Sequence, residues 1–188
     1  DPTEQPTIFT RTPQSQVGQG APLAVPAVSD RMDYEAEIAI VIGKPGRNIA
    51  EAEALAHVAG YSCYNDVSIR DWQRHTSQWI PGKNFEGLGA FGPWLVTPDE
   101  MPAPDKMSVI ARLNGVVLQD AVASEMIFSI PEIIAYLSTF TTLLPGDVIA
   151  TGTPGGVGSA RDPQIWLTEG DTVEVDISGI GILSNPVV

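Results

Sequence analysis

Two glutamates separated by one residue, Glu35 and Glu37, stand at the start of an apolar, β-branched run that ends at Gly43. This run predicts a strand, in which alternate side chains share one face and lie roughly 6–7 Å apart. Two like charges this close repel each other unless a divalent cation or a shared proton neutralises them. Taken alone, residues 33–37 fit a solvated strand end better than a binding site.

A third acid and three polar side chains follow these glutamates and make a site the better interpretation. Asp66 precedes a segment, 69–75, that we expect to be helical, and a helix there places Arg70 and Gln73 on one face. Lys83 follows in the glycine-rich stretch 81–93, which predicts a loop, and loops on rigid scaffolds often carry functional residues.

The elements that must position these residues are mainly short strands. Asn114-Gly115 is the strongest hairpin signal in the chain, and it joins predicted strands over 108–113 and 116–119. Two Gly-Asp turns, at Gly146 and Gly170, each lead into a further strand. Residues 1–32 are rich in Pro, Gln, Ser and Thr and predict an extended segment broken by turns.

Three helices are also predicted. Asn48 and Glu51 form a capping box for the first, which Gly60 closes before a strand over 61–65, and Ser68 caps the second. The third begins at Ser129-Ile-Pro-Glu, and its buried stripe is predicted to contain Ile133, Ile134, Leu137 and Phe140. Many short strands without regular βαβ alternation predict an α+β fold built mainly on sheets.

Composition limits the partners and the setting of this chain. Its 188 residues suffice for one sizeable core, and its net charge of −13 disfavours nucleic acid and anionic membranes as partners. No apolar stretch approaches the roughly 18–20 residues that span a bilayer. The single cysteine, Cys63, excludes an internal disulfide, predicts an inert buried thiol and fits a cytoplasmic location.

Several short motifs, in a fixed order between residues 26 and 188, make this sequence similar to the fumarylacetoacetate hydrolase family. They are Asp33-Tyr-Glu-Ala-Glu37, Gly60-Tyr61, Asn65-Asp-Val-Ser68 with Arg70, Asp71 and Gln73, Gly82-Lys83, Gly92-Pro-Trp94, Leu144-Pro-Gly-Asp147, Thr151-Gly-Thr-Pro154 and Gly156-Val-Gly158. The resemblance implies a mixed β-sandwich roll with a few short helices, one catalytic domain over 1–188, and a homodimer.

The same resemblance implies a site and a reaction. Glu35, Glu37 and Asp66 would hold Mg²⁺ or Mn²⁺, because carboxylates are the hard oxygen donors that these ions prefer. Substrate binding would fall to Arg70, Gln73, Lys83 and Thr153, with Lys83 also in a catalytic role. The expected enzyme is a metal-dependent hydrolase that cleaves a carbon–carbon bond in an acylpyruvate-type 2,4-diketo acid through a stabilised enolate.

Two kinds of alternative stay open on the sequence. Within the family, oxaloacetate decarboxylation is the second choice and isomerisation of hydroxymuconate-type compounds the third, because an enolate is common to all of them. Outside it, a metal-stabilised binding protein could keep the fold without turnover.

The sequence also departs from the family in one motif. Family members of this type carry a His–Glu acid–base pair on a lid, in an Asn-Tyr-x-x-His-x-x-Glu motif, and neither His57 nor His75 lies in such a motif. Either the lid segment lies upstream of residue 1, which we expect because the sequence does not begin with Met, or this protein has lost the base.

Overall fold

Strands form most of the regular structure in the computed structural model, which describes residues 4–188. In chain order the strands are β1 (Gln16–Val17), β2 (Met32–Asp33), β3 (Ala36–Ile42), β4 (Val58–Asp66), β5 (Ser68–Ile69), β6 (Gly89–Val96), β7 (Ser108–Leu113), β8 (Val116–Val122), β9 (Val148–Ala150), β10 (Thr172–Ile177) and β11 (Gly181–Pro186). The α-helical segments are α1 (Arg70–Gln73), α2 (Ile80–Lys83) and α3 (Ile130–Phe140).

Two larger sheets pack against each other and enclose the core. The first has the order β1-β6-β4-β3-β9, in which only β1 and β6 run parallel, and the second is the antiparallel sheet β11-β10-β7-β8. Strands β2 and β5 form a separate antiparallel pair. With few and short helices, the observed architecture confirms the predicted α+β fold.

The core lies between the facing surfaces of these sheets. Strand β10 alternates in the expected way, with Val173, Val175 and Ile177 buried and the residues between them more exposed. Strand β3 is buried along almost its whole length, which fits its place between two neighbouring strands in the first sheet. This burial holds the start of β3, where the predicted glutamates lie, inside the molecule.

The predicted hairpin and the start of the third helix are confirmed. Asn114 and Gly115 connect β7 to β8, and both have positive φ angles, as a tight hairpin turn requires. The Ser129 hydroxyl accepts the N–H of Glu132, and the Glu132 carboxylate accepts the N–H of Ser129 at 2.7 Å. Phe140 is a correction, because it is 56% exposed and lies at the end of α3, outside the buried stripe. No helix in the described part is long and apolar enough to cross a membrane.

The first predicted helix is wrong in type and at both ends. Residues Glu51–His57 form a 3-10 helix without a side-chain cap, because Asn48 has a positive φ angle and its Oδ1 accepts a hydrogen bond from Arg47 instead. Gly60 does not end this helix. It lies inside β4, which begins at Val58.

The segments around the predicted site also differ from the structure that the sequence indicates. The helix predicted over 69–75 is the single turn α1, and Ser68 is not its cap, because the Ser68 hydroxyl donates to the Asp66 carbonyl at 2.9 Å. The loop predicted over 81–93 contains the end of α2 and most of β6. Gly82 lets α2 approach α1 closely, since a Cβ atom there would lie 2.3 Å from the backbone nitrogen of Gln73.

Candidate metal centre

Three carboxylates meet where β3 begins and β4 ends. Ala36 pairs with Asn65 across these antiparallel strands, and the N–H of Asp66 donates to the Glu35 carbonyl at 2.9 Å. This register brings Glu35, Glu37 and Asp66 together, with ligand oxygens that all lie within 4.8 Å of one another. All three side chains are buried. The three predicted metal ligands therefore form one cluster, called the carboxylate cluster below.

Lys83 bridges two members of the carboxylate cluster. Its Nζ lies 2.7 Å from Glu35 Oε2 and 2.7 Å from Asp66 Oδ2. Burial by itself lowers the pKa of Lys83, but the neighbouring carboxylates, Glu35 first, outweigh burial and raise that pKa. The ammonium therefore stays charged, and one of its three N–H groups is left after the two carboxylate bonds.

Arg70 connects the carboxylate cluster to a fourth acid. Its Nε lies 2.7 Å from Asp33 Oδ2, and its Nη1 lies 2.6 Å from Glu35 Oε1 and donates to Gln73 Oε1 at 3.0 Å. Its Nη2 atom is buried and has no hydrogen-bond partner in the described part of the chain. A buried guanidinium with a free N–H group is suited to bind an anion.

Asp33 belongs to the Asp33–Glu37 motif, which predicts no role for it, and the structure gives it one. This fully buried carboxylate accepts the N–H groups of Tyr34 at 2.9 Å, Gly158 at 2.7 Å and Ser159 at 3.0 Å, besides the Arg70 guanidinium. Gly158 is needed for this approach, because a Cβ atom there would lie 1.9 Å from the Ile165 carbonyl oxygen. Asp33 thus fixes Arg70 relative to the loop around Gly158.

Two residues of the N-terminal segment also reach the site, Arg11 at Asp66 and Phe9 at Lys83, and neither is predicted from the sequence. Arg11 Nη1 forms an ion pair with Asp66 Oδ1 and donates to the Val67 carbonyl at 3.2 Å. The Phe9 ring covers the Lys83 ammonium, with 5.1 Å between Nζ and the ring centroid. Neither residue lies in a recognisable motif, so the sequence offered no signal for them.

Counting charges indicates that the site can accept a cation. Four carboxylates (Asp33, Glu35, Glu37 and Asp66) face three cations (Arg11, Arg70 and Lys83), which leaves one negative charge in excess when all are ionised. Within residues 4–188, Glu37 is the carboxylate of this group without an ion-pair partner, and its Oε2 accepts the N–H of Gly152 at 2.8 Å. Burial, and then the charges of Asp66 and Glu35, raise the pKa of Glu37 well above its usual range. An all-oxygen donor set with this excess charge fits a divalent metal ion.

Thr153 and the two histidines are not members of the carboxylate cluster. Thr153 follows Gly152, and its hydroxyl accepts a hydrogen bond from Gln119 at 2.9 Å. His57 lies elsewhere, with its Nδ1 2.9 Å from the Lys44 carbonyl. His75 is exposed and packs on Trp72, with 4.8 Å between the ring centroids. Neither histidine contacts the carboxylate cluster within residues 4–188.

Curated relatives match this chain along nearly its whole length. The mitochondrial oxaloacetate tautomerases of Xenopus laevis and Homo sapiens are 44% and 42% identical over 187 residues, which is 98% of this chain. The alignment covers 59% and 60% of those two proteins, so the chain spans about three fifths of their length.

Solved structures are similar in fold as well as in sequence. The fumarylacetoacetate hydrolase of Exiguobacterium antarcticum has a TM-score of 0.92 and 42% identity, and the match covers 95% of this chain and 65% of that one. The 5-carboxymethyl-2-hydroxymuconate delta-isomerase of Mycobacterium smegmatis has a TM-score of 0.91 and 39% identity, over 99% of this chain and 70% of that one. A family model described as the C-terminal domain of fumarylacetoacetate hydrolase matches residues 1–188. The chain therefore belongs to the fumarylacetoacetate hydrolase family.

Proposed function

We propose that this chain catalyses a metal-dependent enolisation of a 2-oxo acid of the oxaloacetate class. The carboxylate cluster carries the proposal, because its three buried side chains place their oxygens within 4.8 Å of one another beside Lys83 and Arg70. Three oxygen donors suit Mg²⁺ or Mn²⁺ and leave coordination positions open. When bound, such an ion supplies a Lewis acid that polarises the 2-oxo group. The relatives named as oxaloacetate tautomerases support oxaloacetate as the substrate class.

The cations of the chain are suited to bind the substrate's acidic groups. Arg70 offers its unpartnered Nη2 and Lys83 its third N–H group, and charge-assisted hydrogen bonds from such donors favour a carboxylate. The Gln73 carbonyl oxygen accepts from Arg70, and its NH₂ group, which has no partner among residues 4–188, can orient the same ligand.

Enolisation also requires proton transfer. A proton leaves the carbon next to the 2-oxo group, and a proton is delivered to the oxo oxygen. Because its pKa is raised, Lys83 serves as a hydrogen-bond donor to the oxygen that gains negative charge, and not as the base. In the described part of the chain neither histidine contacts the carboxylate cluster, so we assign the base to the His–Glu pair expected upstream.

Hydrolysis of a carbon–carbon bond in an acylpyruvate is the second candidate, and the 42% identity to the hydrolase of Exiguobacterium antarcticum favours it. The same carboxylate cluster would serve both reactions, since each proceeds through an enolate. Product analysis separates them, because hydrolysis of an acylpyruvate yields pyruvate and a carboxylic acid, whereas tautomerisation leaves the carbon skeleton intact. Decarboxylation of oxaloacetate yields pyruvate and carbon dioxide.

The first test follows the ultraviolet absorbance of the enol form of oxaloacetate with the full-length protein. We expect faster loss of the enol with Mg²⁺ and no acceleration with EDTA. Glu35→Gln removes one carboxylate of the cluster, and we expect it to lower the rate by at least about tenfold to a hundredfold. Glu86→Gln, at an exposed glutamate, is the matched control.

The outcome of this test decides between a tautomerase, a carbon–carbon hydrolase and a binding protein without turnover. An unchanged rate in Glu35→Gln would rule out the proposed role of the carboxylate cluster. Metal-dependent release of pyruvate from an acylpyruvate, without tautomerisation of oxaloacetate, would favour the hydrolase. Tight binding of these acids without any turnover would favour a binding protein. The homodimer and the cytoplasmic location stay predictions.

A further inference from the structure

Gln119 is a buried amide that links the two larger sheets beside the carboxylate cluster. It lies in β8, where it pairs with Ala111 of β7, and its side chain is only 1% exposed. Its Oε1 accepts the N–H of Ala36, the residue between Glu35 and Glu37, at 3.0 Å. Its Nε2 donates to the Thr153 hydroxyl at 2.9 Å and to the Pro154 carbonyl at 2.8 Å.

The two backbone partners fix the orientation of this amide. A backbone N–H can only donate and a backbone carbonyl can only accept, so Oε1 must face Ala36 and Nε2 must face Pro154. The usual ambiguity between the oxygen and the nitrogen of a glutamine side chain does not arise here. Both N–H groups of the amide are therefore used, one of them on Thr153.

This orientation determines the role of the Thr153 hydroxyl. Its oxygen accepts from Gln119, so its own proton is available for a different acceptor, and no acceptor for it lies in the described part of the chain. The preceding residue, Gly152, donates to Glu37 at 2.8 Å, which places the turn that carries Thr153 against the carboxylate cluster. The Thr153 hydroxyl still has its proton to donate, and an ionised carboxylate, which can only accept hydrogen bonds, is a suitable partner for it.

We propose that Gln119 is a positioning residue that makes the Thr153 hydroxyl a hydrogen-bond donor to the carboxylate of the oxo acid. The inference rests on the proposed function, because it takes an oxo acid as the ligand. Gln119 acts through Thr153 and does not itself contact the substrate.

The test measures binding of oxalate by calorimetry to the full-length protein saturated with Mg²⁺, after the Mg²⁺ affinity of each variant has been measured alone. Thr153→Val removes the hydroxyl, and we expect it to weaken oxalate binding by about tenfold to a hundredfold, the size of a hydrogen bond to a charged group. Thr153→Ser keeps the hydroxyl and should stay within about threefold of the wild type. Gln119→Met should weaken binding about as much as Thr153→Val.

The double variant tests whether Gln119 acts through Thr153. We expect Gln119→Met to add little when Thr153 is already valine, because the donor that it orients is gone. For oxaloacetate, KM should rise by the same factor while kcat changes by less than about threefold. The matched controls are Thr139→Val and Gln164→Met, at exposed residues away from the carboxylate cluster. If Gln119→Met does not fold, Gln119→Asn, an amide one methylene shorter, replaces it.

Three results would overturn the inference: Thr153→Val with the affinity of the wild type, Gln119 variants without effect, or two single effects that multiply in the double variant. Oxalate binding does not require turnover. A wild-type protein that binds oxalate without tautomerising oxaloacetate would therefore overturn the proposed function. The oxalate affinities of the variants would still decide whether Gln119 acts through Thr153. Turnover by the wild type with an unaffected Thr153→Val variant would overturn the inference alone.

Discussion

The two halves of strands β3 and β4 are held by different forces. From Ile38 onward β3 is apolar and buried in the core, and β4 contributes Tyr61 and Cys63 to the same core. At the opposite end of these strands lie Glu37 and Asp66. Apolar burial stabilises the first half by roughly 25 cal/mol per Å². The acidic half instead buries charges, which is unfavourable unless each charge has a partner.

The difference assigns separate roles to the two halves of the same strands. The apolar half needs no partner from outside the sheets and keeps the strands in register. The acidic half depends on cations that come from three separate segments, through Arg11, Arg70 and Lys83. The effect of a substitution on the free energy of unfolding should therefore depend on metal binding in the acidic half. In the apolar half it should be the same with and without metal.

The largest effect is expected at Lys83. Lys83→Met leaves Glu35 and Asp66 without their shared ammonium, and removing one partner of a buried ion pair costs about 3–5 kcal/mol. Urea unfolding in EDTA measures this loss, and Mg²⁺ should reduce it by supplying positive charge to the same carboxylates. Lys44→Met, at an exposed lysine, is the control. A loss below about 1 kcal/mol in EDTA would show that the acidic half does not depend on this cation.

The apolar half should respond differently to a substitution of similar cost. Ile40 is fully buried, and Ile40→Ala should lower the free energy of unfolding by about 2–5 kcal/mol, from lost burial and the cavity left behind. We expect the same loss with Mg²⁺ and with EDTA. Ile182→Ala, at an isoleucine that is 44% exposed, should cost much less. A metal-dependent loss in Ile40→Ala would contradict the separation of the two halves.

Glu37 offers a substitution with the opposite sign. Glu37→Gln removes one charge from three neighbouring carboxylates, and the new amide oxygen can still accept the N–H of Gly152. In EDTA we expect the free energy of unfolding to rise by about 1–2 kcal/mol, because repulsion and charge burial are relieved. The stabilisation that Mg²⁺ gives the wild type should be largely lost in this variant. Thermal melting with and without Mg²⁺ measures both, and a variant less stable than the wild type in EDTA would refute the expectation.

The acidic end could be predicted from the sequence in part, and the reason is geometric. Glu35 and Glu37 are two residues apart, and side chains at this spacing in a strand share one face whatever the rest of the fold does. The α3 start and the β7–β8 hairpin were predictable for a similar reason, because their signals lie within a few residues. The contacts of Arg11 and Gln119 were not, since their partners Asp66 and Ala36 lie 55 and 83 residues away.

Glycine content caused the main error near the site. The glycines of the stretch 81–93 predict a loop, whereas Gly82 permits a close approach between α1 and α2. That approach brings Lys83 to the carboxylate cluster. Only the packing of the two turns distinguishes a glycine that permits contact from one that permits flexibility.

The smallest expected effect lies in the apolar half and concerns pH. Burial raises the pKa of the Cys63 thiol to about 12, above the value of about 8.5 for an unfolded chain. The stabilisation from the buried neutral thiol is complete below the unfolded pKa and is lost as pH rises toward the folded one. At half a pH unit above the unfolded pKa the loss is about 0.8 kcal/mol.

Urea unfolding at neutral and alkaline pH, with Cys63→Ala as the comparison, measures this effect. The wild type should lose more stability than the variant as pH rises, by the same amount with and without Mg²⁺, because Cys63 lies in the apolar half. The folded thiol should also react with iodoacetamide far more slowly than the unfolded one. Equal pH dependence in both proteins, or rapid labelling of the folded protein, would show that the middle of β4 is open to solvent and that the apolar half is not sealed there.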